Sequence, residues 1–198
     1  FNWLTDTLLD QTGMIYWSLV SQQVFSAIFL GLSAGIFEET ARFLVLRYWL
    51  KQARSWKKAV LFGAGHGGVE AIILGTLVLV SFVSMIVINN KDLAEIVPIH
   101  QIEAAQQQVA AYWSVPWYDS LLGALERLFT HPVHIALAVM VMEAFLRENP
   151  TWFIAAIGFH ALIDGSVVFL APYIGTYWTE MLIGCFSVIS VVIIFGLR

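Results

Sequence analysis

The chain has 198 residues, 59% of them hydrophobic and 12% charged, with a formal net charge of −4. A soluble domain carries about twice that share of charge, so there is too little polar side chain to cover a globule. An ordinary soluble domain, a disordered chain and a nucleic-acid binder are therefore excluded. What fits is an all-α, polytopic transmembrane bundle, and at about 25–35 residues per span and loop the length allows five or six spans.

Residues 1–12 read as a short interfacial segment. The start at Phe1, with no Met and no basic leader, reads as a processed or truncated form that lacks earlier spans. From 14 to 50 runs one long helical pattern. It exceeds the roughly 20 residues of a single span, so it tilts, projects from the bilayer or breaks near Gly31 and Gly35. The basic linker 51–58 follows, with Lys51, Arg54, Lys57 and Lys58. A second apolar run covers 59–89. Residues 90–116 are polar and predict an extramembrane or amphipathic segment. A third run, 118–147, stops at Asn149-Pro150. A fourth, 151–171, is expected to end at Ala171-Pro172, and the last covers 176–197. Five spans are visible, or six if the first breaks, in one transmembrane domain over 1–198.

The eight Trp residues lie largely near the ends of these runs, as an interfacial belt does. If the spans alternate, Lys51–Lys58, Arg147 and Arg198 share one side, and the opposite loops carry only Lys91. The positive-inside rule makes the basic side cytoplasmic. The single cysteine, Cys185, excludes an internal disulfide and a multi-thiolate zinc site. Any metal would rest on His, Asp and Glu.

Ionisable groups inside apolar helices cost about 2.5–3.5 kcal/mol each to insert. Four clusters of them occur, on four helices. Glu38 and Arg42 share a face and can pair, whereas Glu39 lies about 100° round the helix and needs another partner. His66 and Glu70 stand one turn apart within a glycine-rich stretch. Arg127, His131 and His134 follow i, i+4, i+7 spacing around Pro132, which suits a divalent cation or hydrogen bonding to carboxylates equally well. His160 and Asp164 are four apart and can share a hydrogen bond that fixes the imidazole tautomer. At 1.5 Å per residue, all four clusters fall about 12–24 Å below the basic end. They predict one polar layer near mid-bilayer, where a carboxylate beside imidazoles can deprotonate water, with or without a metal.

Taken in order, Glu38-Glu39-Thr40-Ala41-Arg42, then Phe62-Gly-Ala-Gly-His66, then His160-Ala-Leu-Ile-Asp164 resemble the EExxxR, FxxxH and HxxxN/D motifs of the CPBP clan of intramembrane proteases, which includes the type II CAAX prenyl endopeptidases. The first motif is one residue shorter than the prenyl-protease pattern. The stretches HGGVE and THPVH look like the YhfC branch, a set of bacterial intramembrane metalloproteases. The resemblance covers about 30–170. It implies an integral protein of the bacterial cytoplasmic membrane that hydrolyses a peptide or membrane-protein substrate. It makes Glu38, with Glu39 near it, the general base, and has His66 hold the water. His160 and Asp164 would orient the scissile carbonyl and stabilise the oxyanion. Arg42 would keep the carboxylates ionised, with Glu70 and Arg127 supporting the site. Zinc is a possible cofactor, with His66, His131, His134 and His160 as candidate ligands. Two other readings of the buried Glu/His layer stay open: an ion or proton transporter, and a non-catalytic scaffold for a partner's transmembrane segment.

Overall fold

A computed structural model of the chain describes residues 19–198. The expected interfacial segment 1–12 and the first residues of the long run, 14–18, lie outside them. Every regular element described is helical. Helix α1 spans Leu19–Leu44 and continues through one π turn, Val45–Trp49. Helix α2 is Trp56–Asn89, α3 is Ile102–Ser114, α4 is Ser120–Leu146 and α5 is Thr151–Gly196. Four of these stretches are long and apolar enough to cross a membrane: α1 with its π turn, α2, α4 with the turn before it, and α5.

The first run does not break at its glycines. Gly31 and Gly35 instead let α1 approach α5. A Cβ on Gly31 would lie 2.5 Å from the Ala161 carbonyl oxygen, and one on Gly35 would lie 2.7 Å from that of Ile157. Gly63 does the same for α2 against α4, where a Cβ would lie 2.6 Å from Ile135 Cα. Small residues at such positions let helix backbones meet where lipid provides no hydrophobic drive for association. Gly75 meets nothing.

The expected stop at Ala171-Pro172 is displaced. Pro172 lacks the N–H that would bond the Val168 carbonyl. Gln23 on α1 supplies the missing donor, its Nε2 reaching that oxygen at 2.5 Å, so the helix continues. The break falls at Gly175, with φ +75° and ψ 171°, a conformation open essentially to glycine alone. There α5 folds into two arms, 151–174 and 176–196. The arms return alongside each other, with the Phe159 and Phe186 rings 6.3 Å apart. Trp56 Nε1 donates to the Ile194 carbonyl at 2.8 Å, so the second arm ends where α2 begins. At the other end Tyr177 donates to Asp119 at 3.0 Å. Among the described residues, five helical passes therefore run between a Trp56 end and a Trp117 end. The break before α5 is where Asn149-Pro150 predicts it, and Asn149 Oδ1 accepts from the Thr151 amide at 3.0 Å.

Helix α1 packs along α5, α5 along α4, and α4 along α2. Helix α4 is central: all of its residues from Val133 to Ala144 except Ile135 are buried. The packed core sits toward the Trp56 end, where Phe43 meets Phe145 and Phe153 at 4.7 and 4.8 Å. The polar stretch 90–116 forms short turns and α3, which has no buried residue and touches α2 through Phe82 and Trp113.

Close approach at Gly63 and open space at Gly65 predict opposite outcomes for one substitution. Gly63→Ala should destabilise the protein by about 1–3 kcal/mol, because the obstacle is backbone. Gly65→Ala should be neutral or stabilise by up to about 1 kcal/mol. Unfolding followed in detergent reads both.

Candidate active site

The π turn and linker bring α2 back antiparallel to α1, and two hairpins then carry α4 and α5 past the same level. One face of each helix supplies acids or imidazoles there. On α1, the adjacent acids point different ways. Glu39 is fully buried. It is bonded by the Arg42 guanidinium and by His160 Nδ1, the latter at 2.8 Å. Arg42 thus pairs with Glu39 and not with Glu38, the partner its i, i+4 spacing suggested, because the inward face of α1 carries positions 39 and 42 against α5. Two further nitrogens of Arg42, Nε and Nη2, are buried without a hydrogen-bond partner among the described residues.

Glu38, half-buried, faces a cavity. Its Oε2 lies 3.3 Å from His66 Nε2, and among the described residues it forms no ion pair with Lys or Arg. Glu70, one turn on from His66, is held twice: Arg127 Nη1 donates to Oε1 at 2.7 Å, and His134 Nε2 lies 2.7 Å from Oε2. His134 is buried, and its Nδ1 has no hydrogen-bond partner among the described residues. The His66 and His134 rings stand 5.1 Å apart. One ligand atom from each of Glu38, His66, Glu70 and His134 falls within 4.8 Å of the others.

Two imidazoles and two carboxylates at that spacing are a donor set for a small divalent cation, zinc above all. An imidazole buried with an unanswered nitrogen fits a site built for more than hydrogen bonding. Of the expected ligands, His66 and His134 are in this group. His131 packs against Gly67, where a Cβ would lie 3.2 Å from its Nδ1, and stands outside it. So does His160, whose ring centroid is 6.2 Å from that of His134. His160 Nε2 lies 3.5 Å from Asp164 Oδ2, so the main hydrogen bond of this ring is to Glu39 and not to its i+4 neighbour.

The group lies between two cavities. An inner one of about 670 Å³ is bordered by Glu38, Glu70, His134, His160 and Asp164. A second, of about 690 Å³, opens between α1 and α2 and is bordered by Glu38, His66 and Glu70 with apolar Leu61, Val69 and Ile73. Glu39 borders neither. Two acids that spacing did not single out also belong to this region. Glu126 borders the inner cavity and pairs with Arg127, and Glu180 is buried on the second arm of α5. The only signal for Glu180 was an acid alone in an apolar run, costly enough to require a reason.

The chain belongs to the YhfC intramembrane metalloprotease family, whose model matches residues 2–194. It is similar to a protein of Bacillus subtilis (strain 168) described as the uncharacterized membrane protein YhfC, at 34% identity over 145 residues, 69% of this chain and 54% of that protein. The chain thus spans about half the length of the curated relative it matches. No solved structure matches.

The donor set predicts near-stoichiometric zinc by elemental mass spectrometry of the purified protein. His66→Ala and His134→Ala should lose it, while His131→Ala should retain it.

Proposed function

We propose that this chain is an intramembrane metallopeptidase that cleaves a peptide bond with water activated at Glu38. The observation that carries the proposal is the contrast between the two adjacent acids. Glu39 is tied to Arg42 and His160, and Glu70 to Arg127 and His134. Glu38 alone of the three faces both cavities without a cationic side chain.

His66, His134 and Glu70 would hold the metal, with Glu38 beside them. When bound, zinc supplies Lewis acidity to a carbonyl oxygen and lowers the pKa of a water. The protein's own groups do the rest. Glu38 takes a proton from water as the water oxygen bonds to the carbonyl carbon. It then gives that proton to the amide nitrogen as the C–N bond breaks, leaving a carboxylate and an amine. Arg127 keeps Glu70 pointed at the group; such an outer contact sets ligand orientation. Glu39 holds the His160 ring by Nδ1, which leaves Nε2 toward Asp164 and the inner cavity. With carboxylates facing both ring nitrogens, a proton at Nε2 would be a donor for the developing oxyanion. Glu39 is therefore a positioning residue, and Arg42 holds it in place.

The order EExxR, FxxxH and HxxxD supports placing the chain with the CPBP clan. The basic residues support a cytoplasmic Trp56 end in a bacterial inner membrane, and with it a site near mid-bilayer.

Incubation of the reconstituted protein with membrane-embedded peptides, read by mass spectrometry, tests the reading. Glu38→Gln should lower cleavage by about 10²–10⁴-fold with zinc retained. Cleavage at the wild-type rate in Glu38→Gln would contradict it.

A further inference from the structure

The inner cavity ends, toward Trp117, in charges that the proposed hydrolysis does not use. Glu126 and Arg127 border it there. Arg127 gives Nη1 to Glu70 and Nη2 to Glu126. Beside them lies Glu180, from the second arm of α5. It is 6% exposed, its charged neighbours are Glu126 and Arg127, and its Oε2 is buried without a hydrogen-bond partner among the described residues. Ile183, one turn on, borders the same cavity, so this face of the arm looks inward. The guanidinium is bonded to Glu70 and Glu126, and among the described residues it makes no ion pair with Glu180, which is left over. A buried carboxylate oxygen without a partner is costly, and a positive partner satisfies it.

Between this end and the metal group the walls are mainly apolar, with Leu30, Val133, Ile163, Val167 and Val168 beside the hydroxyls of Ser33 and Thr130. A polypeptide with apolar side chains and one basic one matches both the walls and the end.

We propose, resting on the metallopeptidase reading, that Glu126 and Glu180 form a specificity site for a Lys or Arg of an apolar, membrane-embedded substrate. Glu126 precedes His134 by eight positions on α4, about 12 Å along the helix. At about 3.3 Å per extended residue, the basic residue stands three or four positions from the scissile bond, on the side toward the Trp117 end. Its aliphatic stem lies along Val167 and Val168 while its head reaches the acids, as long cationic side chains do at apolar surfaces.

The test uses the zinc-loaded protein in liposomes with Leu/Ala-rich membrane-spanning peptides. These carry a central Gly-Pro helix break and, four positions from it, Lys, Leu or Glu. Cleavage is followed by mass spectrometry, and binding by quenching of a bimane on the peptide. The wild type should favour the Lys peptide in both readouts. Glu180→Gln should lower kcat/KM for the Lys peptide by about tenfold or more and leave the Leu peptide and zinc content unchanged. Glu180→Lys should move the preference to the Glu peptide, which a merely structural role for Glu180 would not do. Equal binding of the three peptides by the wild type would overturn the specificity site. Preference for Lys in binding without cleavage of any peptide would uphold this site and overturn the peptidase reading alone.

Discussion

Glu39 is the residue on which the site turns. Its carboxylate joins Arg42 on its own helix to His160 on α5, in a fully buried setting. Removing one member of such a buried charged set leaves its partner uncompensated, at a cost of about 3–5 kcal/mol, so the link fixes the rotation of α1 against α5. Successive helical residues lie about 100° apart. Once Glu39 points into that interface, Glu38 must point at the neighbouring cavity. The same contact holds His160 by Nδ1 and presents its other nitrogen to Asp164. One buried acid thereby sets the aim of two groups at the site.

The other half is fixed by a second linked set on α2 and α4. Glu70 lies between Arg127 and His134, and Gly63 and Gly67 let α2 come close enough to α4 for that contact. The two sets meet where Glu38 approaches His66. Helices α1 and α2 pack little against each other directly, and their separation leaves the cavity through which the group is exposed. The acids around the two cavities and the α1–α5 contact are thus tied to a base or face a cavity, which accounts for how so many charges persist in helices this apolar. Among the described residues Glu180 has no hydrogen bond to a basic residue, and its charged neighbours, Glu126 and Arg127, border the inner cavity.

Much of this was legible in the sequence. Apolar runs of span length gave five crossings, and acids and imidazoles at one-turn spacing gave four clusters at a shared level, because both follow from local geometry. The partners were less legible, since helix rotation is set by contacts between distant segments. Spacing favours Glu38 with Arg42 and His160 with Asp164, yet Glu39 takes both Arg42 and His160. His131 and His134 look equivalent on paper and both pack against Gly67, but the angle of about 60° that three residues leave between them brings His134 to Glu70 and not His131. The stop at Pro172 was misplaced because the cost of a proline is a free carbonyl, and Gln23, some 145 positions away from Val168, answers it. Glu180 has no charged neighbour in sequence, so only the fold brings it to Glu126.

The central claim is that His66 and His134, from helices that close on each other around Gly63 and Gly67, hold a metal beside Glu38. X-ray absorption at the zinc edge of the purified protein tests it most directly. The account predicts a shell containing two imidazoles at about 2.0–2.1 Å with oxygen donors beside them, and no zinc edge above background in His134→Ala. A zinc spectrum without imidazole scattering, or one unchanged in His134→Ala, would contradict it.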